Sequence, residues 1–137
     1  MGMNGHSPAV RRWLVAAVLG HLAIALVHGA AHAGAAIPMG AAANLFVVTV
    51  ILAGPLVGLG LSRRDPRIGA SIIAVTMAAS LVFGVVHHFV MASPDHVAYV
   101  EAAWRPLFGV TAVLLAATEV LGAALGMQVL TERNAVP

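Results

Sequence analysis

The chain has 137 residues, of which 61% are hydrophobic and 9% are charged. Soluble domains carry about 25% charged residues, so this composition indicates an integral membrane protein. Cysteine is absent, which excludes disulfides, thiolate metal sites and cysteine-ligated iron–sulfur clusters. The formal net charge is only +2 and no basic run is long, so nucleic acid is excluded as a partner.

Four stretches of the chain are long and apolar enough to cross a bilayer, which takes about 20 residues. After a short polar tail at 1–10, these segments run at about 13–33, 41–62, 68–92 and 106–130. We predict an all-α membrane protein with one four-helix transmembrane domain over 11–133. Because the connections are short, we expect an up-down-up-down bundle within the lipid bilayer.

The arginines indicate how this bundle is oriented. All seven basic residues are arginine, and six fall on one side of the predicted bundle. These are Arg11, Arg12, Arg63, Arg64, Arg67 and Arg133; only Arg105 falls on the other side. The positive-inside rule then places both termini in the cytoplasm. With its arginine-only basic set and its alanine richness, the sequence suggests the inner membrane of a bacterium.

Three histidines share one face of the first apolar segment. A helix advances about 100° per residue, so His21, His28 and His32 fall within roughly 40° of one another. Polar groups inside a membrane segment are costly and generally serve a function. This stripe is therefore the strongest functional signal in the first segment.

Four histidines lie near the predicted outer end of the bundle. His28 and His32 have the one-turn spacing with which two imidazoles chelate a metal ion. His87 and His88 reach a similar depth in the third segment and offer a third ligand. His87 lies on the stripe of small residues Thr76, Ser80 and Gly84, as does Met91, whereas His88 lies about 100° away. We therefore expect His87 to point inward.

These residues predict a transition-metal site with His28, His32 and His87 as ligands and with His88 and Met91 as neighbours or alternates. Imidazole suits zinc, copper and iron, and a methionine such as Met91 or Met39 favours copper. In the loop that follows, Asp95 could complete the cluster, although it is also expected to form a solvated face with Glu101 and Arg105.

A b-type haem or another metallo-tetrapyrrole is the alternative cofactor, held between His28 and His87. In this respect the segments are loosely similar to four-helix b-type cytochromes. The HxxxH spacing followed by a His-His pair also resembles the histidine boxes of membrane desaturases. Those enzymes have more histidines and carry them toward the cytoplasm, so neither resemblance assigns a residue role.

A second polar pair is predicted deeper in the membrane. His21 and Glu119 lie at matching depths, within about 3 Å, on the first and fourth segments. A carboxyl group near the bilayer core must pair, stay protonated or bind a cation. We expect a hydrogen bond between the two side chains. The pair would serve as a structural clasp, as a proton relay beneath the metal site or as a second metal site.

Two functional classes follow from these features. One is a metal-handling protein or a redox accessory subunit, since so small a chain has little surface outside the membrane for a soluble substrate. The other is a structural subunit whose GxxxG faces, Gly54/Gly58 and Gly122/Gly126, dock onto a larger complex or a second copy.

Overall fold

The computed structural model describes residues 8–132, and this part of the chain is helical apart from its connections. Four helices are long and apolar enough to cross a membrane, as the sequence predicts. They are α1 (Pro8–Gly34), α2 (Ala41–Leu61), α3 (Pro66–Val90) and α4 (Arg105–Thr131). Residues 8–10 of the predicted polar tail belong to α1. The rest of that tail, and Arg133, lie outside the described residues.

The outer surface of the helices is apolar. Large hydrophobic side chains on all four helices are strongly exposed, among them Leu26, Val48, Val75 and Val113 at 57–68%. A soluble monomer rarely exposes contiguous apolar surface on this scale. This surface is therefore suited to lipid, and the protein is a multi-pass membrane protein.

Helix α2 contains a long π-helical segment, Val47–Ala53, directly before Pro55. Proline has no N–H and its ring clashes with the carbonyl four residues earlier, which here belongs to Ile51. The wider turns relieve that clash, and His21 on α1 donates a hydrogen bond from Nε2 to the Ile51 carbonyl oxygen at 3.1 Å. One predicted site residue thus satisfies a backbone group that a proline leaves unpaired.

The glycines of both GxxxG motifs pack inside the chain against α3. A Cβ at Gly58 would lie 2.7 Å from Ile73, and one at Gly126 would lie 2.9 Å from the Ala70 carbonyl oxygen. Gly54 and Gly122 meet Thr76 and Met77 in the same way. These faces are therefore used within the chain, and docking onto another protein through them stays a prediction.

The connection from 91 to 104 folds back over the end of α1 and the start of α4, which we call the histidine end. Val100 and Phe108 are almost fully buried there and pack against Ala31. The loop is tied down by Val97, whose N–H donates to the His88 carbonyl oxygen at 3.0 Å. Arg105 donates two further hydrogen bonds to the Val100 carbonyl oxygen.

Candidate metal centre

Three imidazoles from two helices meet at the histidine end: His28 and His32 of α1 and His88 of α3. One ring nitrogen from each lies within 4.8 Å of the other two. The ring of Phe108 lies 4.6 to 5.0 Å from all three imidazole centroids and closes one side of the cluster. The three histidines are at most 9% exposed, so water does not satisfy their ring nitrogens freely.

The protonation of His28 follows from its contact with Thr111 on α4. The Thr111 hydroxyl donates its single proton to the carbonyl oxygen of Leu107 or Phe108, at 2.7 and 3.0 Å. At 2.8 Å from His28 Nδ1, the same oxygen is then placed to accept the Nδ1 proton. We assign His28 the tautomer whose Nε2 carries a lone pair.

The same reasoning applies to His88, which sits under the 91–104 loop. Its Nδ1 donates to the backbone carbonyl oxygen of Asp95 at 3.1 Å, a group that can only accept. Its Nε2 is left with a lone pair and faces His28 Nε2 at 3.2 Å. With the ring protons of both histidines on Nδ1, the two lone pairs face each other, and a cation between them would relieve their repulsion.

His32 supplies the third lone pair. Its Nε2 lies 3.1 Å from Asp95 Oδ1, so the ring proton belongs on Nε2, where it faces the carboxylate. Its Nδ1 is buried and has no hydrogen-bond partner among the described residues. Metal-binding histidines commonly present one nitrogen to the ion and donate the other N–H to a carboxylate or a carbonyl, and all three donors here face an oxygen.

The nitrogen spacing matches shared coordination of one ion. Zinc–nitrogen bonds are about 2.0–2.1 Å long, so two imidazole nitrogens on a tetrahedral ion stand about 3.3 Å apart. The 3.2 Å between His28 Nε2 and His88 Nε2 is close to that value. The ring of His32 is farther out, with its centroid 5.8 Å from that of His88, but its ligand nitrogen lies within 4.8 Å of those of the other two histidines.

Asp95 contributes a negative charge directly beside the imidazoles. Burial raises the pKa of this carboxyl group, but the close contact with His88 and the nearby imidazoles of His32 and His87 outweigh burial and lower its pKa overall. The group therefore stays ionised near neutral pH. Its Oδ1 also lies 3.3 Å from His88 Nδ1 but has no aligned hydrogen-bond partner. The expectation that Asp95 belongs to a solvated face is wrong, because its side chain is only 14% exposed.

His87 and Met91, two residues predicted for the metal site, lie elsewhere. The His87 ring packs at a tilt against Phe83 with a centroid distance of 4.2 Å, and Met91, which directly follows α3, is 45% exposed. The buried face of α3 is centred on Met77, and of the small-residue stripe only Ser80 belongs to it. His88 follows Met77 by eleven residues, which is about 20° from the same azimuth.

The deeper pair also meets, although not by a hydrogen bond. His21 Nδ1 lies 3.8 Å from Glu119 Oε1, and the two side chains are 1% and 4% exposed. That separation is longer than a hydrogen bond. Because His21 Nε2 donates to Ile51, its Nδ1 carries a lone pair and has no partner within the described residues.

Thr111 and Phe108 were missed by the sequence reasoning, whereas Asp95 was one of the residues it named to complete the cluster. A threonine in a membrane helix usually bonds the carbonyl four residues earlier, as Thr118 does, so Thr111 gives no signal by itself. Its proximity to His28 depends on how α1 and α4 pack.

No family model, curated protein or solved structure matches this chain. Its function must therefore be argued from the chemistry of the site.

Proposed function

We propose that this protein binds a transition-metal ion through His28, His32 and His88. The observation that carries the proposal is the meeting of three buried imidazoles, each with one ring nitrogen facing an oxygen and the other free to bind an ion. A cation would also pair His32 Nδ1, a buried nitrogen that has no partner among the described residues, whereas buried polar groups are normally paired. Thr111 and Asp95 would then orient the ligands rather than bind the ion.

A bare ion fits this arrangement better than the haem alternative. The two facing nitrogens of His28 and His88 are 3.2 Å apart, which leaves no room for a porphyrin between them. His87, the other predicted axial ligand, packs against Phe83 and does not line the cavity beside the cluster. A b-type haem therefore has no suitable ligand pair here.

Copper is the ion we favour, with zinc and iron as the competitors. Three imidazoles suit all three metals, while copper binds nitrogen ligands most tightly among common divalent ions. Met39 lines the same cavity and would supply a thioether to Cu(I). The role we propose is metal handling or service as a redox accessory subunit.

The proposed orientation puts the metal centre on the outer side of a bacterial inner membrane. Arg11, Arg12 and Arg63 line one crevice with Val129, near the end of α4 and thus away from the histidine end. The positive-inside rule assigns this arginine-rich end to the cytoplasm. Up-down-up-down topology with both termini cytoplasmic is part of the same proposal.

Elemental analysis of the purified protein tests the proposal. The detergent-solubilised protein is loaded with copper, zinc or iron, desalted and measured for bound metal. We expect about one ion per chain in the wild type, loss in His88→Ala and retention in the adjacent variant His87→Ala. X-ray absorption at the metal edge should show nitrogen ligands.

His87 and His88 are adjacent in the chain, so comparing their alanine variants tests which of the two binds the metal. If His87→Ala loses the metal and His88→Ala keeps it, the ligand set is wrong. If folded, helical wild-type protein takes up no metal under any loading condition, the histidines are structural, and the accessory-subunit function becomes the better explanation. A Soret band in the visible spectrum would instead establish a haem protein.

A further inference from the structure

A cavity of about 410 Å³ extends from the histidine cluster toward the middle of the membrane. At one end it reaches His28, His32, His88 and Asp95, and at the other it reaches Glu119. Thr111, which contacts His28, and Glu119 are eight residues apart on α4, so the two ends are about 12 Å apart. Pockets of this size bind small organic molecules.

The cavity opens sideways toward lipid rather than only toward water. Helix α2 packs mainly on α3, and it meets α1 chiefly through its last part, Gly54–Leu61. The hydrogen bond from His21 to Ile51 joins α1 and α2 just before that part of α2. Between this hydrogen bond and the histidine end, the cavity separates the two helices. Leu26 and Phe89 line this space and are also 62% and 38% exposed on the lipid-facing surface.

The walls favour a flat, uncharged ring. Most of the lining is apolar, and five aromatic side chains contribute to it: His28, His32, Phe83, His88 and Phe89. Aromatic rings bind planar partners through offset or edge-to-face contacts. A ligand that reaches the site through the bilayer must itself be soluble in lipid.

Glu119 provides a polar anchor at the deep end. Its side chain is 4% exposed, lines the cavity and makes no hydrogen bond within the described residues. Its polar neighbour His21 Nδ1 is 3.8 Å away. A buried carboxyl group without a hydrogen bond is costly, so a ligand oxygen at this point would supply one that the protein lacks. Nearby, the Ser80 hydroxyl lines the same cavity but already donates to the Thr76 carbonyl oxygen.

We propose that this cavity binds the ring of a membrane-soluble quinone or quinol, with a ring oxygen hydrogen-bonded to Glu119. A quinone carbonyl accepts from the acid form of Glu119, and a quinol hydroxyl donates to its carboxylate. The ring would enter between α1 and α2 and lie beside the imidazoles of the proposed metal centre. Its polar anchor is not a metal ligand, so quinone binding and metal binding can fail independently.

Photolabelling of the protein in phospholipid nanodiscs tests this inference. The probe is an azido-benzoquinone with a decyl tail, and unlabelled decyl-benzoquinone serves as the competitor. We expect saturable labelling that maps by mass spectrometry to the cavity walls on α1 and α3. Removing the anchor in Glu119→Leu should weaken competition about tenfold, the equivalent of one hydrogen bond, and Glu119→Gln should restore most of it.

Two phenylalanine variants on α4 give a matched control. Ala116 lines the cavity, so Ala116→Phe should fill it and abolish saturable labelling. Val113 is 58% exposed on the lipid face, so Val113→Phe should label as the wild type does. Bound metal is measured in the same samples, and both variants should retain it.

Two results would overturn the inference. One is labelling that does not saturate and spreads over the lipid-facing surface. The other is equal competition by phospholipid alone, which would mean that acyl chains fill the cavity. If the wild type retains metal but shows either result, only the quinone site is refuted. If quinone binds saturably while metal never does, the metal proposal fails instead.

Discussion

Replacing Thr111 with valine should weaken metal binding without removing a ligand. Valine keeps the shape of threonine but cannot accept the Nδ1 proton of His28, a hydrogen bond of 2.8 Å at a residue that is 5% exposed. In the metal-free protein, the His28 proton can move to Nε2, where it donates to a lone pair on His88 instead. In the metal-bound protein Nε2 is a ligand, so the proton must stay on Nδ1 unpaired.

The cost of the unpaired proton falls on the metal-bound state alone, and this sets how far metal affinity should drop. An unsatisfied buried donor costs about 1–3 kcal/mol, so the dissociation constant should rise by about 5- to 150-fold. Competition with a chromophoric chelator, at fixed pH in detergent, measures that change. Thr111→Ser keeps the hydroxyl and should bind nearly as tightly as the wild type.

Thr118 offers a matched control on the same helix. Its hydroxyl donates only to backbone carbonyls of its own helix, at 2.9 and 3.1 Å, so Thr118→Val should leave metal affinity unchanged. The tautomer assignment would be refuted if Thr111→Val bound metal within about twofold of the wild type. Equal weakening in both variants would point to a general effect on folding.

Three further outcomes are expected. Asp95→Asn should weaken metal affinity about 10- to 100-fold, because it removes the charge that orients His32 and His88. In the same chelator assay, Glu101→Gln in the same loop should leave metal affinity unchanged. Metal at about 100 times its dissociation constant should stabilise the fold by about 2.7 kcal/mol, seen as a rise in melting temperature that chelator reverses; no rise would contradict site-specific binding. Gly126→Val should destabilise the fold by about 1–3 kcal/mol, because the new Cβ would lie 2.9 Å from a backbone oxygen. Gly20→Ala, whose Cβ would meet nothing within 4 Å, should leave the fold equally stable or more stable in the same thermal assay.

Features that depend on one helix could be predicted from the sequence. The apolar lengths identify four spans, and the 100° step places His21, His28 and His32 on one face, where all three are buried. The matching depths of Glu119 and His21 along their own helices were enough to predict that the two side chains lie close together. These inferences need only the geometry of a regular helix and the cost of polar groups in lipid.

Features that depend on how helices face each other were decided by the tertiary structure. The choice between His87 and His88 depends on which side of α3 packs inward. The small-residue stripe of that helix favoured His87, whereas the buried face is centred on Met77 and includes only Ser80 of that stripe. The inward position of Asp95 depends on a loop held by contacts with two helices, which leave no periodic pattern in the sequence. Helical periodicity determines where each side chain lies on its own cylinder, whereas packing and loop closure determine which cylinders meet and at what rotation.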